Sequence, residues 1–254
     1  MATRTTKAAE LPGFKLPIVI PVFNNPTYLT NTLTFFQARG FDEYLILNNG
    51  SQYEPLEAYL EQLPDGVAVL DLPHNPGPRI YHGDPEIYGK LPDKFILTDP
   101  DLGFDPALDR ETILHLFDLC EKYRRYKVGC ALNIKINEPN CLDVPVRLDG
   151  RLTTIRQLEQ SYYRRCIGTS RYGDAIFDAP IDTTFAVHIK RFFAGNLLSA
   201  NYRVAGRYTA HHYGWYDVPP IPTEEYEFYM QQVAVSAKHY SSTECVRSGR
   251  NFTY

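Results

Sequence analysis

The first half of the chain alternates short apolar runs with stretches of helical spacing, and this alternation limits the folds open to it. β-Branched and apolar runs predict the strands, and amphipathic spacing with turn residues between them predicts the helices. The predicted strands are 16–23, 43–47, 67–71, 95–98 and 128–134, and the predicted helices are 25–40, 53–63 and 109–125, the first capped by Asn25 and the last by Asp109. Such βαβ alternation predicts one Rossmann-like α/β domain with a mainly parallel central sheet and helices on both faces.

The second half alternates less regularly. It predicts a helix near 152–165, a strand at 183–188 and a last helix at 224–239 capped by Thr223. Residues 72–93 are rich in Pro and Gly and predict a long loop, and residues 1–15 form a polar segment ahead of the domain. With 254 residues and 44% hydrophobic content, the chain is long enough for a single domain over 16–254.

Composition and charge narrow the classes of partner. The 26 basic and 30 acidic residues give a net charge of -4 without any Lys/Arg-rich run, which argues against nucleic acid as a partner. No stretch approaches the roughly 20 apolar residues of a membrane-spanning helix, and the amino terminus lacks a signal-peptide core. The 5 cysteines show neither CxxC nor metal-finger spacing. We therefore expect a soluble, cytoplasmic protein with reduced thiols.

Polar residues follow the apolar runs where the predicted strands end. These sequences are Phe23-Asn24-Asn25, Asn48-Asn49-Gly50-Ser51, His74-Asn75-Pro76-Gly77 and Asp99-Pro100-Asp101. Ligands of parallel sheets bind beyond the carboxyl ends of the strands. Because Asp99 and Asp101 lie two apart after an extended strand, both carboxylates point to one side and favour Mg²⁺ or Mn²⁺. A proline turn with solvated acids is the alternative for this pair.

Three segments in this order resemble the GT-A glycosyltransferases, particularly family 2-like enzymes. They are Ile20-Pro21-Val22-Phe23-Asn24, Asn48-Asn49-Gly50-Ser51 and Phe95-Ile96-Leu97-Thr98-Asp99-Pro100-Asp101-Leu102. The resemblance implies a GT-A domain with a nucleotide-sugar-binding half at 16–135 and an acceptor-binding half at 136–254. It places Val22, Asn24, Asn48 and Asn49 in the base and ribose pocket, Asp99 at the ribose or the metal, and Asp101 on the metal.

The donor is a nucleotide sugar whose base the sequence leaves open. The family commonly has an acid where Asn48 stands, so UDP-, GDP- and dTDP-sugars all remain candidates. Arg79, in the 72–93 loop, is a candidate for holding the diphosphate or a donor-sugar hydroxyl, with a surface arginine as the alternative.

Asp182 is the candidate general base. Transfer with inversion needs a carboxylate that takes the proton from the attacking acceptor hydroxyl. Asp182 precedes an apolar run in Asp182-Thr183-Thr184-Phe185-Ala186, which resembles an Asp-Thr-Thr-Phe-Ala segment in a bacterial and viral subset of these enzymes. An aspartate that caps a turn is the alternative.

A second late segment completes the resemblance. Ala210-His211-His212-Tyr213-Gly214-Trp215-Tyr216 is similar to the Ala-Arg-His-x-x-Trp-Tyr ending of the same subset, with His211 where Arg is usual. It implies that His212 is a metal ligand, which suits Mn²⁺ better than Mg²⁺. Trp215 and Tyr216 are candidates for stacking on a donor or acceptor sugar, and core packing is the common alternative for a lone Trp.

These features predict a metal-dependent glycosyltransferase that moves a sugar from a nucleotide-sugar donor to a glycan acceptor, with Asp182 favouring inversion. A sugar nucleotidyltransferase would need a Gly-rich basic loop after the first strand, which Asn24-Asn25-Pro26 does not provide. A glycoside hydrolase would use two carboxylates without a nucleotide. A carbohydrate-binding module would more often be all-β.

Overall fold

The computed structural model describes residues 2–148 and 150–235, and most of its strands belong to one central sheet. The strands are Thr3–Thr5 (β1), Ile18–Val22 (β2), Tyr44–Asn48 (β3), Val67–Asp71 (β4), Lys94–Leu97 (β5), Leu102–Gly103 (β6), Lys127–Cys130 (β7), Pro145–Leu148 (β8), Arg151–Thr154 (β9), Cys166–Thr169 (β10), Ala175–Asp178 (β11), Ala186–Ile189 (β12), Asn201–Val204 (β13) and His211–His212 (β14). The α-helices are Pro26–Gln37 (α1), Glu54–Leu60 (α2), Ile80–Gly83 (α3), Pro85–Lys90 (α4), Arg110–Tyr123 (α5), Ile155–Tyr162 (α6) and Thr223–Val235 (α7). Short 3-10 helices occur at Ala8–Glu10, Lys190–Phe192, Gly206–Tyr208 and Tyr213–Trp215.

The central sheet is mixed, and its parallel part is built by the first half of the chain. The strand order is β1-β4-β3-β2-β5-β12-β7-β13-β11-β10. Strands β1, β4, β3, β2 and β5 run in one direction, and β12 lies antiparallel between β5 and β7. β13 is parallel to β7, and β11 and β10 add antiparallel pairs at the far edge. The predicted α/β domain is confirmed.

The two faces of the sheet bury different side chains because successive residues of a strand point to opposite sides. On β2, Ile18 and Ile20 belong to one hydrophobic cluster, together with apolar residues of α1, α2 and α5. Val19 belongs to the cluster on the other face, where Ile87 of α4 also packs. Helices therefore cover both faces, as predicted.

The amino-terminal segment differs from its prediction. Residues 1–15 were expected to stand ahead of the domain, but β1 pairs in parallel with β4 and extends the central sheet. Ala8 and Leu11 are buried in the second hydrophobic cluster. The buried side chains of Ala8 and Leu11, together with the edge strand β1, thus anchor this otherwise polar segment.

Several predicted elements have other bounds in the structure. The 72–93 loop contains α3 and α4, and Asp84 caps α4 by accepting from the backbone N–H of Glu86 and Ile87. Helix α6 begins only at Ile155, because Thr154 forms a capping box with Gln157. The strand predicted at 183–188 lies at Ala186–Ile189. The last helix begins at Thr223 itself, and its predicted end beyond residue 235 lies outside the described residues.

The two helix caps predicted for the first half have different outcomes. Asp109 caps α5 by accepting from the backbone N–H of Thr112 at 2.8 Å. Asn25 occupies the N-cap position of α1 and Pro26 is the first helical residue, as predicted, but the Asn25 side chain makes no capping hydrogen bond. Among residues 2–148 and 150–235, no helix has the length and apolar character needed to cross a membrane.

Candidate functional site

The two aspartates of Asp99-Pro100-Asp101 lie at the carboxyl end of β5, in the middle of the central sheet. The Thr32 hydroxyl of α1 donates to the carbonyl of Pro100 at 2.9 Å and fixes the turn between them. The chain continues into β6, which pairs antiparallel with β14 so that His212 lies opposite Leu102. The Tyr213 N–H also donates to the Asp101 carbonyl at 2.9 Å. This small second sheet brings residue 212 beside residue 101.

Asp99, Asp101 and His212 form a cluster that we call the metal triad. One ligand atom from each lies within 4.8 Å of the other two, which fits a shared divalent cation. His212 Nδ1 is 3.8 Å from Asp101 Oδ2 and, although buried, has no hydrogen-bond partner. The residues therefore fit the metal that the sequence predicts, since an imidazole nitrogen without a partner can act as a ligand.

The imidazole of His212 is held by its neighbours. The Trp215 ring stacks on it with centroids 4.7 Å apart at 21°. A Cβ atom on Gly214 would lie 2.8 Å from His212 Cε1 and 2.9 Å from Asp101 Oδ2, so only glycine fits there without moving the cluster. His211 points elsewhere, with Nδ1 2.8 Å from the Tyr216 hydroxyl. Of the two adjacent histidines, only His212 belongs to the triad.

The local electrostatics favour a cation at the triad. Burial raises the pKa of Asp99 well above its usual range, and the neighbouring Asp101 carboxylate raises this pKa further. The Thr183 hydroxyl donates to Asp99 Oδ2 at 2.9 Å and opposes the shift. A divalent cation would stabilise both carboxylates in their ionised form.

Asp182 and Arg79 face each other beside the triad. Arg79 Nε and Nη2 donate to Asp182 Oδ1 and Oδ2, each at 2.6 Å, which is a bidentate ion pair. Both side chains are partly exposed, at 41% for Arg79 and 26% for Asp182. The structure thus brings together two residues that the sequence predicted separately, and it pairs them with each other.

Sequence reasoning missed Lys127 and Arg203, which lie beneath Asp182. Lys127 is fully buried and donates from Nζ to the carbonyls of Ile181 at 2.6 Å and Asp182 at 3.0 Å. Burial lowers the pKa of Lys127 to about 7, although nearby Asp182 opposes the shift. Its position directly before the predicted strand 128–134 was the one signal available for Lys127, which is the first residue of β7.

The residues predicted for the base and ribose, Val22, Asn24, Asn48 and Asn49, lie together at the ends of β2 and β3. We call this group the nucleoside edge. All four are at most 4% exposed. Asn24 Oδ1 accepts from the N–H groups of Gln52 and Tyr53, and Asn48 Nδ2 donates to Glu57 and Asp71. Asn24 Oδ1 and Asn48 Nδ2 are therefore engaged within the protein, whereas Asn24 Nδ2 and Asn49 Oδ1 are buried without a hydrogen-bond partner.

Helix α7 covers the nucleoside edge. Phe228 packs on Tyr53 with ring centroids 4.8 Å apart, and Tyr229 meets Phe23 edge-on at 6.3 Å. The buried Glu225 carboxylate accepts from the Thr27 hydroxyl at 2.6 Å and from its N–H at 3.2 Å. A helix from the second half of the chain thus packs over the ends of β2 and β3.

A pocket opens beside Asp101, between α1, the Tyr213–Trp215 turn and α7. We call it the tyrosine pocket, because Tyr28, Tyr213, Tyr216, Tyr226 and Tyr229 line it. It holds about 370 Å³ of empty space, counting the part open to solvent, and no Lys, Arg or His of the described chain lines it. Tyr216 lies at this pocket, as a sugar-stacking role requires. Trp215 is 4% exposed and packs in the core, so the core-packing alternative describes it.

Comparisons with known proteins identify the fold. No family model matches the chain, and no curated protein is similar to it in sequence. The crystal structure of GalNAc-T7 with UDP, GalNAc and Mn²⁺ aligns with a TM-score of 0.50 over 93% of this chain and 55% of that chain, at 12% identity. This chain has a GT-A fold.

A second solved protein is similar at lower TM-scores. Residues 1–349 of S. aureus TarS align over 87% of this chain and 65% of that chain, with a TM-score of 0.43 and 13% identity. A second crystal structure of S. aureus TarS gives the same TM-score of 0.43 at 15% identity and is covered over 39% of its length. The GT-A chain described here spans less than two thirds of each of these structures.

Proposed function

We propose that this chain is a metal-dependent glycosyltransferase that moves a sugar from a nucleotide-sugar donor to a glycan acceptor. The observation that supports this most is the metal triad, which lies at the carboxyl edge of a GT-A sheet with an imidazole nitrogen free to ligate. Ligands of such sheets bind at this edge. Asp99, Asp101 and His212 would hold Mn²⁺ or Mg²⁺, and the cation would neutralise the charge that develops on the departing diphosphate.

Asp182 acts as the general base in this proposal. The acceptor hydroxyl gives its proton to the Asp182 carboxylate while its oxygen bonds to the anomeric carbon. The bond between that carbon and the phosphate oxygen breaks, and its electrons stay on the diphosphate. Attack from the face opposite the leaving group inverts the anomeric configuration.

The Arg79–Asp182 pair explains why the base would act only with donor bound. In the bidentate contact, both carboxylate oxygens of Asp182 accept hydrogen bonds from Arg79, which competes with an acceptor hydroxyl for the same atoms. The diphosphate of the donor offers Arg79 a competing anion of higher charge. Transfer of Arg79 to the diphosphate would release Asp182 for the acceptor proton.

The two substrates have separate places in this proposal. The nucleoside of the donor lies at the nucleoside edge, with Val22, Asn24, Asn48 and Asn49 forming its wall once α7 shifts. The acceptor sugar lies in the tyrosine pocket, where rings such as Tyr216 stack on apolar C–H faces. The absence of cationic side chains from the described lining suits an uncharged sugar.

Nucleotide binding tests the proposal. We would titrate the protein with UDP, GDP and dTDP by calorimetry, with and without Mn²⁺, and repeat the measurement on Asp101→Asn and the exposed control Asp105→Asn. UDP with Mn²⁺ is the first pair to try, because the GalNAc-T7 structure contains both. Metal-dependent binding that is lost in Asp101→Asn and kept in Asp105→Asn supports the transferase. Failure of all three nucleotides to bind would contradict it and favour a hydrolase or a glycan-binding module.

A second experiment isolates the base. Asp182→Asn keeps the shape of the side chain but cannot take a proton. We expect sugar transfer to fall by about 1,000-fold, since general base catalysis contributes roughly that factor. Metal-dependent nucleotide affinity should not fall, because Asp182 is outside the triad and loss of its charge leaves Arg79 available to the diphosphate. A variant with normal turnover would exclude Asp182 as the base.

A further inference from the structure

Three consecutive carbonyl groups next to Asp182 accept hydrogen bonds from cationic side chains below them. Arg203 Nε donates to the carbonyl of Pro180 at 2.7 Å. Lys127 Nζ donates to the next two carbonyls, those of Ile181 and Asp182, at 2.6 Å and 3.0 Å. The peptide units that lead into the candidate base are thus bound one after another by two side chains.

Both cations are almost completely removed from solvent. The Lys127 residue is 0% exposed, and the Arg203 side chain is 4% exposed. Arg203 is neutralised by Glu159, whose side chain is 1% exposed, through a contact of 2.6 Å. Apolar side chains of similar volume would often stabilise a core at least as well as such buried charges. Fold stability alone therefore gives little reason for this arrangement.

The sheet places the two cations side by side under one loop. Lys127 begins β7, and Arg203 lies on β13, the parallel neighbour of β7. The segment from 180 to 185 crosses above them before it enters β12. Its far end is also fixed, because the Cys130 N–H donates to the Phe185 carbonyl at 3.0 Å. A Cβ on Gly129 would lie only 2.1 Å from that carbonyl oxygen, so the loop approaches β7 as closely as glycine permits.

We propose that Lys127 and Arg203 are positioning residues for Asp182, holding its backbone so that the carboxylate keeps one place while Arg79 moves to the donor. This inference rests on the proposed role of Asp182 as base. The two partners of the ion pair differ in how firmly the protein holds them. Asp182 carries the last of three consecutive hydrogen-bonded carbonyls, whereas Arg79 lies on the long 72–93 segment and its side chain is the more exposed. Precise placement matters because a displacement of about 1 Å can lower a rate by about 100-fold.

Lys127→Met tests the proposal, with Val128→Ala as the matched control. Methionine retains the length and volume of lysine and removes the donor. Val128 is the next residue of β7 and is fully buried, so its truncation weakens the core without removing a bond to the loop. We expect Lys127→Met to lower kcat by about 100-fold, with the affinity for nucleotide and Mn²⁺ within about threefold of the parent. Val128→Ala should lower stability while kcat stays within about threefold.

A double variant shows whether Lys127 acts through Asp182. If it does, adding Lys127→Met to Asp182→Asn should reduce kcat by less than about threefold further, because the group it positions is already inactive. Independent losses that multiply would overturn the proposal, as would a Lys127→Met enzyme no slower than Val128→Ala. For Arg203, we would use Glu159→Gln with Arg203→Met, which removes both charges together. We expect the same loss in kcat from this pair.

Hydrogen exchange provides a readout that does not need turnover. We expect the amides of residues 181–186 to exchange about tenfold faster in Lys127→Met than in Val128→Ala, with the two variants compared under conditions that give them the same free energy of unfolding. If no sugar nucleotide supports transfer but this exchange difference appears, the proposed function fails while the anchoring of the loop stands. Equal exchange in both variants would refute the anchoring itself.

Discussion

The metal triad and the nucleoside edge lie at neighbouring strand ends but differ in how accessible they are to a ligand. The triad presents two carboxylates and a His212 nitrogen without a hydrogen-bond partner. At the nucleoside edge, Asn24 Oδ1 and the Asn48 amide are bonded within the protein, Asn24 Nδ2 and Asn49 Oδ1 are buried without a hydrogen-bond partner, and α7 packs on top. The two regions thus differ in their cover: a pocket opens beside Asp101 of the triad, whereas α7 packs over the nucleoside edge.

This difference indicates how the two regions depend on ligand. Carboxylates placed close together repel each other, so the triad gains stability when a cation arrives. At the nucleoside edge, α7 packs over the strand ends, so part of any binding energy there would be used to displace it. We therefore expect substitutions at the triad to change binding strongly, and substitutions at the nucleoside edge to change stability and access.

The largest effect is expected from His212→Ala, with His211→Ala as the control. Loss of one of three protein ligands should weaken Mn²⁺ affinity by on the order of 100-fold, as judged by calorimetry with Mn²⁺ alone. His211 belongs to the same strand, but its ring contacts Tyr216 and not the triad. Its variant should bind Mn²⁺ within about threefold of the parent. Equal losses in both variants would show that the triad is not the metal site.

Gly214→Ala tests whether the triad is sterically preformed. The added methyl would contact His212 and the Asp101 carboxylate at less than 3.0 Å, so the ligands must separate. We expect about tenfold weaker Mn²⁺ affinity by the same titration. Gly89→Ala is the control, since a Cβ at Gly89 meets nothing within 4 Å. Unchanged affinity in Gly214→Ala would mean that the cluster rearranges when metal binds.

Phe228→Ala should act in the opposite direction. Removing the ring that packs on Tyr53 loosens α7, so less of the binding energy is used to uncover the nucleoside edge. We expect about threefold tighter nucleotide binding in the presence of Mn²⁺. Weaker binding in this variant would indicate that α7 is a fixed wall of the site and that both regions are prepared in advance.

Asn48→Ala should have the smallest effect on binding. Its amide donates to Glu57 at 3.0 Å and to Asp71 at 2.9 Å, and both carboxylates lose a partner in the variant. We expect the free energy of unfolding to fall by about 1–2 kcal/mol in urea titrations. The preference among UDP, GDP and dTDP should change by less than about twofold, because the amide faces the protein. A clear switch of base would show that Asn48 reads the nucleobase directly.

The first half of the fold could be predicted from the sequence because its signals are local. The strand residues from Ile18 to Val22 divide between the two faces of the sheet, and the Asp109 cap forms as its position predicts. The prediction that the polar segments after these strands lie at one edge of the sheet is also confirmed, because the strands are parallel and their carboxyl ends meet at the same edge. The same reasoning did not predict a strand in the first fifteen residues, because β1 is short and is held in the sheet by its pairing with β4.

For the candidate site, the sequence alone determined which side chains were candidates. The tertiary structure decided which of them contact one another. Asp99 and Asp101 are two residues apart in the turn that follows β5, so their proximity follows from their closeness in sequence. His212 joins them only because β14 pairs with β6, a contact between residues more than a hundred positions apart. The same holds for Arg79 with Asp182, and for Lys127 beneath that loop. Local sequence determines which groups stand at strand ends, but a hydrogen bond between distant segments depends on how the whole chain packs.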